Sequence, residues 1–153
     1  STAEGTPGPN DPRAWARLLS ASRLARLLAD DTAPAGQKES VARKLKELQV
    51  LNAPAALQIL TWEDFDASLS LVGLEGDKEA PVGEATSALP VALTALLLPT
   101  ADLEHLRWAV RWKSDPPGRD VAFVLHTVVW DGKSFQVKLR KETLGMKARE
   151  IAL

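Results

Sequence analysis

Between residues 103 and 140 the chain alternates in a way that admits one secondary-structure reading. Leu106, Trp108, Val110 and Trp112 alternate with Arg107, Ala109 and Arg111, the period of a strand with one buried face. Ser114-Asp115-Pro116-Pro117-Gly118 ends that strand. Val121 to Trp130 is apolar at nearly every position, as in a strand covered on both faces, and Asp131-Gly132 is a two-residue hairpin signal. Phe135, Val137 and Leu139 then alternate with Gln136, Lys138 and Arg140 in a returning strand.

A turn centred on Asp131-Gly132 sets the expected register. On the core side Trp130 faces Lys133, Val128 faces Phe135, His126 faces Val137 and Val124 faces Leu139. On the other side Phe123 meets Arg140, Leu125 meets Lys138, Thr127 meets Gln136 and Val129 meets Ser134. The apolar row of the middle strand therefore has no apolar match in its hairpin partner, and another element or another chain must cover it. Phe123, Leu125, Thr127 and Val129 are the candidate interface.

Upstream the period is helical. Residues 1–10, rich in Gly, Pro and small polar side chains, predict a disordered tail. Asp11-Pro12 has the form of an N-cap followed by Pro at the first helical position. Trp15, Leu18 and Leu19 share one helical face and Leu24, Leu27 and Leu28 a rotated one. This predicts two short helices broken near Ser20-Ala21-Ser22, against the alternative of one buried helix. A helix over residues 37–51 is striped by Val41, Leu45, Leu48 and Leu51, with Lys38, Arg43, Lys44, Lys46 and Glu47 on its wet face. A helical turn over 55–60 leads to a further helix capped by Thr61, with Asp64 at its third position, Phe65, Leu69 and Val72 on one face and Gly73 as its stop.

Residues 76–86, charged and Gly/Pro-bearing, form the clearest boundary. Residues 88–98 are apolar between Pro90 and Pro99, and their Ala and Leu content favours a connecting helix over a buried strand. Residues 143–153 predict a terminal helix with Leu144, Ala148 and Ile151 on one face, weakened by Gly145. The expected fold class is α+β: an N-terminal helical region followed by a small antiparallel three-stranded sheet with a C-terminal helix. Residues 1–10 are the tail, 11–73 the helical region, 74–99 a linker, and 100–153 a sheet-plus-helix association domain.

Composition narrows the function classes. With 153 residues, 45% of them hydrophobic and 25% charged, the chain has the make-up of a globular protein of one domain or two small ones. A net charge of −1 argues against a general nucleic-acid binder, although Lys133, Lys138, Arg140 and Lys141 give the hairpin a basic edge. The absence of Cys removes disulfides, thiolate metal sites and cysteine nucleophiles. No apolar run reaches the length of a membrane span, and the first residues lack a signal pattern. An intracellular location is expected, cytoplasmic or organellar after removal of a leader.

Catalytic chemistry has little support. His105 and His126, the two imidazoles, sit in no metal spacing and beside no nucleophile motif, and His126 points to the apolar side of the hairpin as a satisfied core histidine would. Asp64 and Asp66, two apart on an expected helix, do not share a face. Gly5, Gly8, Gly73 and Gly76 belong to tails and turns and form no phosphate loop. No catalytic residue, cofactor or metal is expected. Trp108, Trp112 and Trp130 near basic residues suggest a base-stacking platform, but Trp108 and Trp112 share a face with Leu106 and Val110, which makes them core.

A Leu-rich approach with Leu103 and Leu106, a Trp108-x-Val110 strand, an apolar strand with Val124 and Leu125, then Phe135, Val137, Leu139 and Leu144, resembles the COMM-domain proteins over residues 103–151. Ala109 and Arg111 depart from that family's usual basic residue after the Trp and acidic residue after the Val. The resemblance implies a non-catalytic adaptor that pairs through its sheet into dimers and larger assemblies serving endosomal sorting. The residues themselves point the same way, to a protein-association module acting through Phe123, Leu125 and Val129 in a homo- or hetero-oligomer. The alternatives are a nucleic-acid-associated subunit of an organellar ribonucleoprotein using the basic edge, and a small-ligand binder or enzyme without a recognisable motif.

Overall fold

In the computed structural model the described residues are 12–64, 66–80, 84–86 and 92–153. The expected tail at 1–10, the face position of Phe65, and residues 88–91 of the expected connecting helix lie outside them. The elements run α1 (Pro12–Leu28), α2 (Ala35–Glu47), β1 (Ala55–Trp62), β2 (Leu69–Glu75), β3 (Lys78–Glu79), β4 (Glu84–Thr86), β5 (Leu93–Leu98), α3 (Thr100–His105), β6 (Arg107–Trp112), β7 (Val121–Trp130), β8 (Phe135–Leu144) and β9 (Glu150–Ala152). They build two antiparallel sheets, a five-stranded one in the order β4-β5-β1-β7-β8 and a four-stranded one in the order β3-β2-β6-β9. The expected three-stranded sheet closed by a C-terminal helix is therefore corrected to a two-sheet architecture with α1 and α2 packed on one face.

The five-stranded sheet is the middle layer. One of its faces carries Leu57, Ile59, Leu93, Ala95 and Val128, which pack with Trp15, Leu18, Ala21 and Ala25 of α1 and Leu45 of α2. The other carries Ala56, Leu60, Leu96, Leu98, Phe123 and Leu125, which pack with Leu69, Leu71, Trp108 and Val110 of the second sheet. Strand side chains alternate between faces, so a strand in the middle layer must be apolar on both. That condition explains Ala55–Trp62, buried along all but its first residue. Residues 55–60 were expected to form a helical turn, in keeping with the helix propensity of Ala and Leu. Position in the middle layer overrides that propensity.

The same cause corrects residues 93–98, which pair with β1 as β5. Residues 69–72, expected at the end of a helix stopped by Gly73, belong to the strand 69–75, whose Leu69, Leu71 and Gly73 are buried while Ser70, Val72 and Leu74 are half-buried, a period of two. At the C-terminus the expected helix is replaced by the end of β8 and by β9, which pairs with β6 through Ile151 and Val110. The intervening loop is held by the Trp112 indole N–H, which donates to the carbonyls of Gly145 and Ala148, and by the Met146 amide, which donates to Asp120.

α1 is continuous where a break was expected. Its buried positions are Trp15, Leu18, Ala21, Ser22 and Ala25, a stripe at helical spacing kept through small residues, while Leu19 and Leu27 face solvent. Ser22, whose hydroxyl bonds back to the Leu19 carbonyl at 2.7 Å, does not interrupt it. The second helix is shorter than expected, ending at Glu47, with Gln49 following at φ 56°.

Strands that precede residues 76–86 pair with strands that follow them. Gly76, at φ 65°, turns β2 into β3. β1 lies between β5 and β7 in the middle layer, and β2 pairs with β6. Gly73, which pairs with Trp108 across β2 and β6, permits a close approach: a Cβ there would lie 2.9 Å from Leu106 Cδ1 and 3.2 Å from the Trp108 ring. Gly73→Ala is expected to cost about 1–3 kcal/mol through displacement of the Leu106 side chain and the Trp108 ring. Its urea midpoint should fall accordingly, and an unchanged midpoint would show that Trp108 is not fixed by this contact.

Candidate association surface

The hairpin of β7 and β8 positions every residue singled out by the sequence. Trp130 faces Phe135 and Val128 faces Val137, a register two residues away from the expected one. The turn is made by Gly132 and Lys133, flanked by Asp131 and Ser134, because the Asp131 carboxylate accepts the amides of Lys133 at 2.7 Å and Ser134 at 2.8 Å. Gly132, at φ 100°, stands at the first central position, where such turns favour Gly. A shift of two leaves every side chain on its expected face. It does replace the expected pairings.

The expected interface row is covered within the chain. Phe123 and Leu125 are 2% and 6% exposed in the core between the sheets, and Val129 packs against the same core. Thr127 donates its hydroxyl to the Gln58 side chain at 2.7 Å. The uncovered patch that motivated an interface there is filled by the second sheet, which the sequence reading did not include.

The basic edge is divided. Lys133 sits in the turn, Lys138 and Arg140 project on the side of the second sheet, and Lys141 projects on the helix side opposite Val124. Arg140 pairs with Glu142 at 3.2 Å. What Lys138, Arg140 and Lys141 share is the outer border of β8, whose ten residues pair with β7 in an unbroken register and, among the described residues, with no other strand. The Asp131 amide donates to the Ser134 carbonyl, so alternation assigns the inward backbone groups to Gln136, Lys138, Arg140, Glu142 and Leu144. The backbone groups of Phe135, Val137, Leu139, Lys141 and Thr143 point outward.

More cations flank this border on the helix side. Lys38, Arg43 and Lys46 of α2 line a groove of about 530 Å³ with Lys133, Trp130, Phe135 and Val137, and Glu39 is its one carboxylate. The rings of Trp130 and Phe135 are 4.5 Å apart and tilted, with the Lys46 ammonium 5.7 Å from the Trp130 ring. No family model, curated protein or solved structure matches this chain. The comparisons thus carry no information on kinship with the COMM-domain proteins.

Further along the same helix-facing side lies a polar cluster that sequence reasoning missed. His126 is fully buried; its Nδ1 donates to the Ile59 carbonyl at 2.8 Å, and its Nε2 accepts from Arg26 Nε at 2.9 Å. A carbonyl can only accept, so the ring is the neutral Nδ1–H tautomer. Burial, with Arg26 adding to it, pulls its pKa down to about 4. Arg26 Nη2 also donates to Thr61 at 3.1 Å. Nothing in the sequence pairs Arg26 with a histidine 100 positions away; only the packing of α1 on β7 does.

Asp64 and Asp66 were expected to diverge on a helix. In the loop after β1 both bind Arg119 instead, at 2.5 and 3.2 Å, and that contact holds the Asp64 carboxyl below its ordinary range. No cluster of His, Asp or Glu suited to a metal occurs among the described residues. Among them, too, no helix is long and apolar enough to cross a membrane.

Proposed function

We propose that the protein is a non-catalytic association module that accepts an extended, acidic segment of a protein partner as an added strand along β8. The observation that carries this reading is the ten-residue outer border of β8, bordered on its other side by β7 alone among the described residues. A strand of that length spans about 33 Å at roughly 3.3 Å per residue and offers a row of backbone donors and acceptors, the template used in strand addition. β8 has neither the bulge nor the Pro that blunts many free edges, and the charges it carries, Lys138, Arg140 and Lys141, disfavour a like-charged strand rather than an acidic one.

The chemistry of the partner follows from charge. Lys138 and Arg140 lie on one side of the border, Lys141 and the α2 cations on the other, in a chain of net charge −1. A second copy of this chain fits poorly. Antiparallel pairing of two β8 strands centred on Leu139 sets Lys138 opposite Arg140, and like charges across a ladder repel. An Asp- and Glu-bearing strand satisfies the same positions.

Selection from an unbiased library of displayed peptides tests this. Extended acidic peptides are expected to emerge, and Val137→Pro should weaken their binding at least about tenfold while costing no more than about 1.5 kcal/mol of stability, since Pro is tolerated where an edge N–H faces outward. Peptides that bind the Pro variant equally well would overturn the reading.

The Trp130–Phe135 pair within the Lys38, Arg43, Lys46 and Lys133 groove favours a second reading, a single-stranded RNA contact by stacking and phosphate neutralisation. Under that reading affinity for an RNA oligomer falls steeply with salt and is lost with Lys46→Gln/Lys133→Gln.

A further inference from the structure

A cleft of about 650 Å³ opens beside the His126–Arg26 pair, between α1 and the ends of β1, β5, β7 and β8. Its volume lies in the range of small-molecule sites. Leu19, Leu93 and Val124 contribute apolar wall, and the cations on it are Arg23, Arg26 and Lys141.

Arg26 is the organised element. Its Nε–H is fixed on His126 and one Nη2–H on Thr61, so one long edge of the guanidinium is committed to the protein. The remaining Nη1 and Nη2 hydrogens form the other edge of the fork, the geometry that receives a carboxylate or phosphate through two parallel bonds. His126 is itself anchored on the Ile59 carbonyl and wholly buried, which keeps that fork oriented before a ligand arrives.

The lining also includes Glu63 and Glu142, the latter paired with Arg140. Glu142 projects with Arg140 on the second-sheet side, so the cations outnumber the carboxylates on the wall, which suits an anionic head on a largely apolar body. From this geometry we infer that the cleft is a binding site for a small apolar monocarboxylate, its carboxylate seated on the open edge of Arg26 with Arg23 and Lys141 in support. The inference does not rest on strand addition at β8 and involves a different ligand.

Benzoate and octanoate are suitable probes, with inorganic phosphate as the comparison, followed by NMR of the Arg26 Nε–Hε and backbone amides of the full chain. Saturable shifts at Arg26, Thr61 and Lys141 are expected with a carboxylate. Arg23→Gln/Lys141→Gln, which leaves the His126–Arg26–Thr61 contacts intact, should weaken that binding about tenfold without changing the thermal midpoint of the ligand-free protein. Arg26→Lys should abolish it. Absence of saturable binding by either carboxylate, binding unchanged in both variants, or binding of phosphate alone would each overturn the assignment.

Discussion

Leu125→Asp is expected to unfold the protein at neutral pH. Leu125 lies between the two sheets at 6% exposure, in the cluster that includes Leu60, Phe123 and Trp108. Removing its side chain alone would cost about 2–5 kcal/mol. A carboxylate there has no partner among the apolar side chains of that cluster and adds the penalty of a buried charge or of its forced protonation, for a loss above about 4 kcal/mol in all. That approaches the whole stability of an ordinary domain, roughly 5–15 kcal/mol. Circular dichroism and urea titration of the variant should show no cooperative native baseline. A folded variant of near-normal midpoint would mean that residue 125 reaches solvent and that the row serves an external surface after all.

The second large effect is on pH dependence. His126 has its pKa lowered from 6.5 to about 4 in the folded protein. The unfolded chain therefore binds more protons between these values, and stability falls as the pH drops from about 6.5 towards 4. The shift corresponds to about 3 kcal/mol across that window. Protonation would also set an imidazolium N–H against the Arg26 donor, breaking the bond that fixes the guanidinium. Urea titrations at neutral and mildly acid pH should show the loss, and His126→Gln should flatten it. A slope unchanged in the variant would assign the effect to other groups. The Asp30, Asp64 and Asp131 carboxyls, held below their ordinary range mainly by hydrogen bonds, lose their contribution only as pH falls through lower values.

Elements with a face-specific pattern were legible in the sequence. Arg107–Trp112 and the alternation after Phe135 carry their period plainly, and Val121–Trp130 is marked as a strand by the hairpin signal that follows it. Reading Val121–Trp130 as covered on both faces was sound, since helices lie over one side and a sheet over the other. The covering sheet is missed because Leu69–Glu75 reads largely as helix, and Ala55–Trp62 and Leu93–Leu98, which extend the middle layer beside it, carry no period at all. A continuous apolar run looks alike as strand or helix. The misplaced turn arose from a side chain: the Asp131 carboxylate takes the amides of Lys133 and Ser134, moving the bend one residue onward.

The candidate surface was half legible for a related reason. Lys133, Lys138, Arg140 and Lys141 belong to one short segment, and the gathering of the last three along one strand border follows from adjacency. Lys38, Arg43 and Lys46 read as the solvated face of a helix, and only the packing of α2 beside the hairpin brings them to Trp130 and Phe135. Arg26, His126 and Thr61 come from three elements, and no local pattern joins them.

Association along β8 is tested most directly by amide exchange of the full chain with and without an extended acidic peptide taken from the display selection. The outward amides of Phe135, Val137, Leu139, Lys141 and Thr143 should exchange quickly alone and become protected on binding, while those of Gln136, Lys138, Arg140 and Glu142, already bonded to β7, stay protected throughout. Protection appearing on α2 or within the Arg26 cleft, with the five outward amides unchanged, would contradict strand addition at this edge.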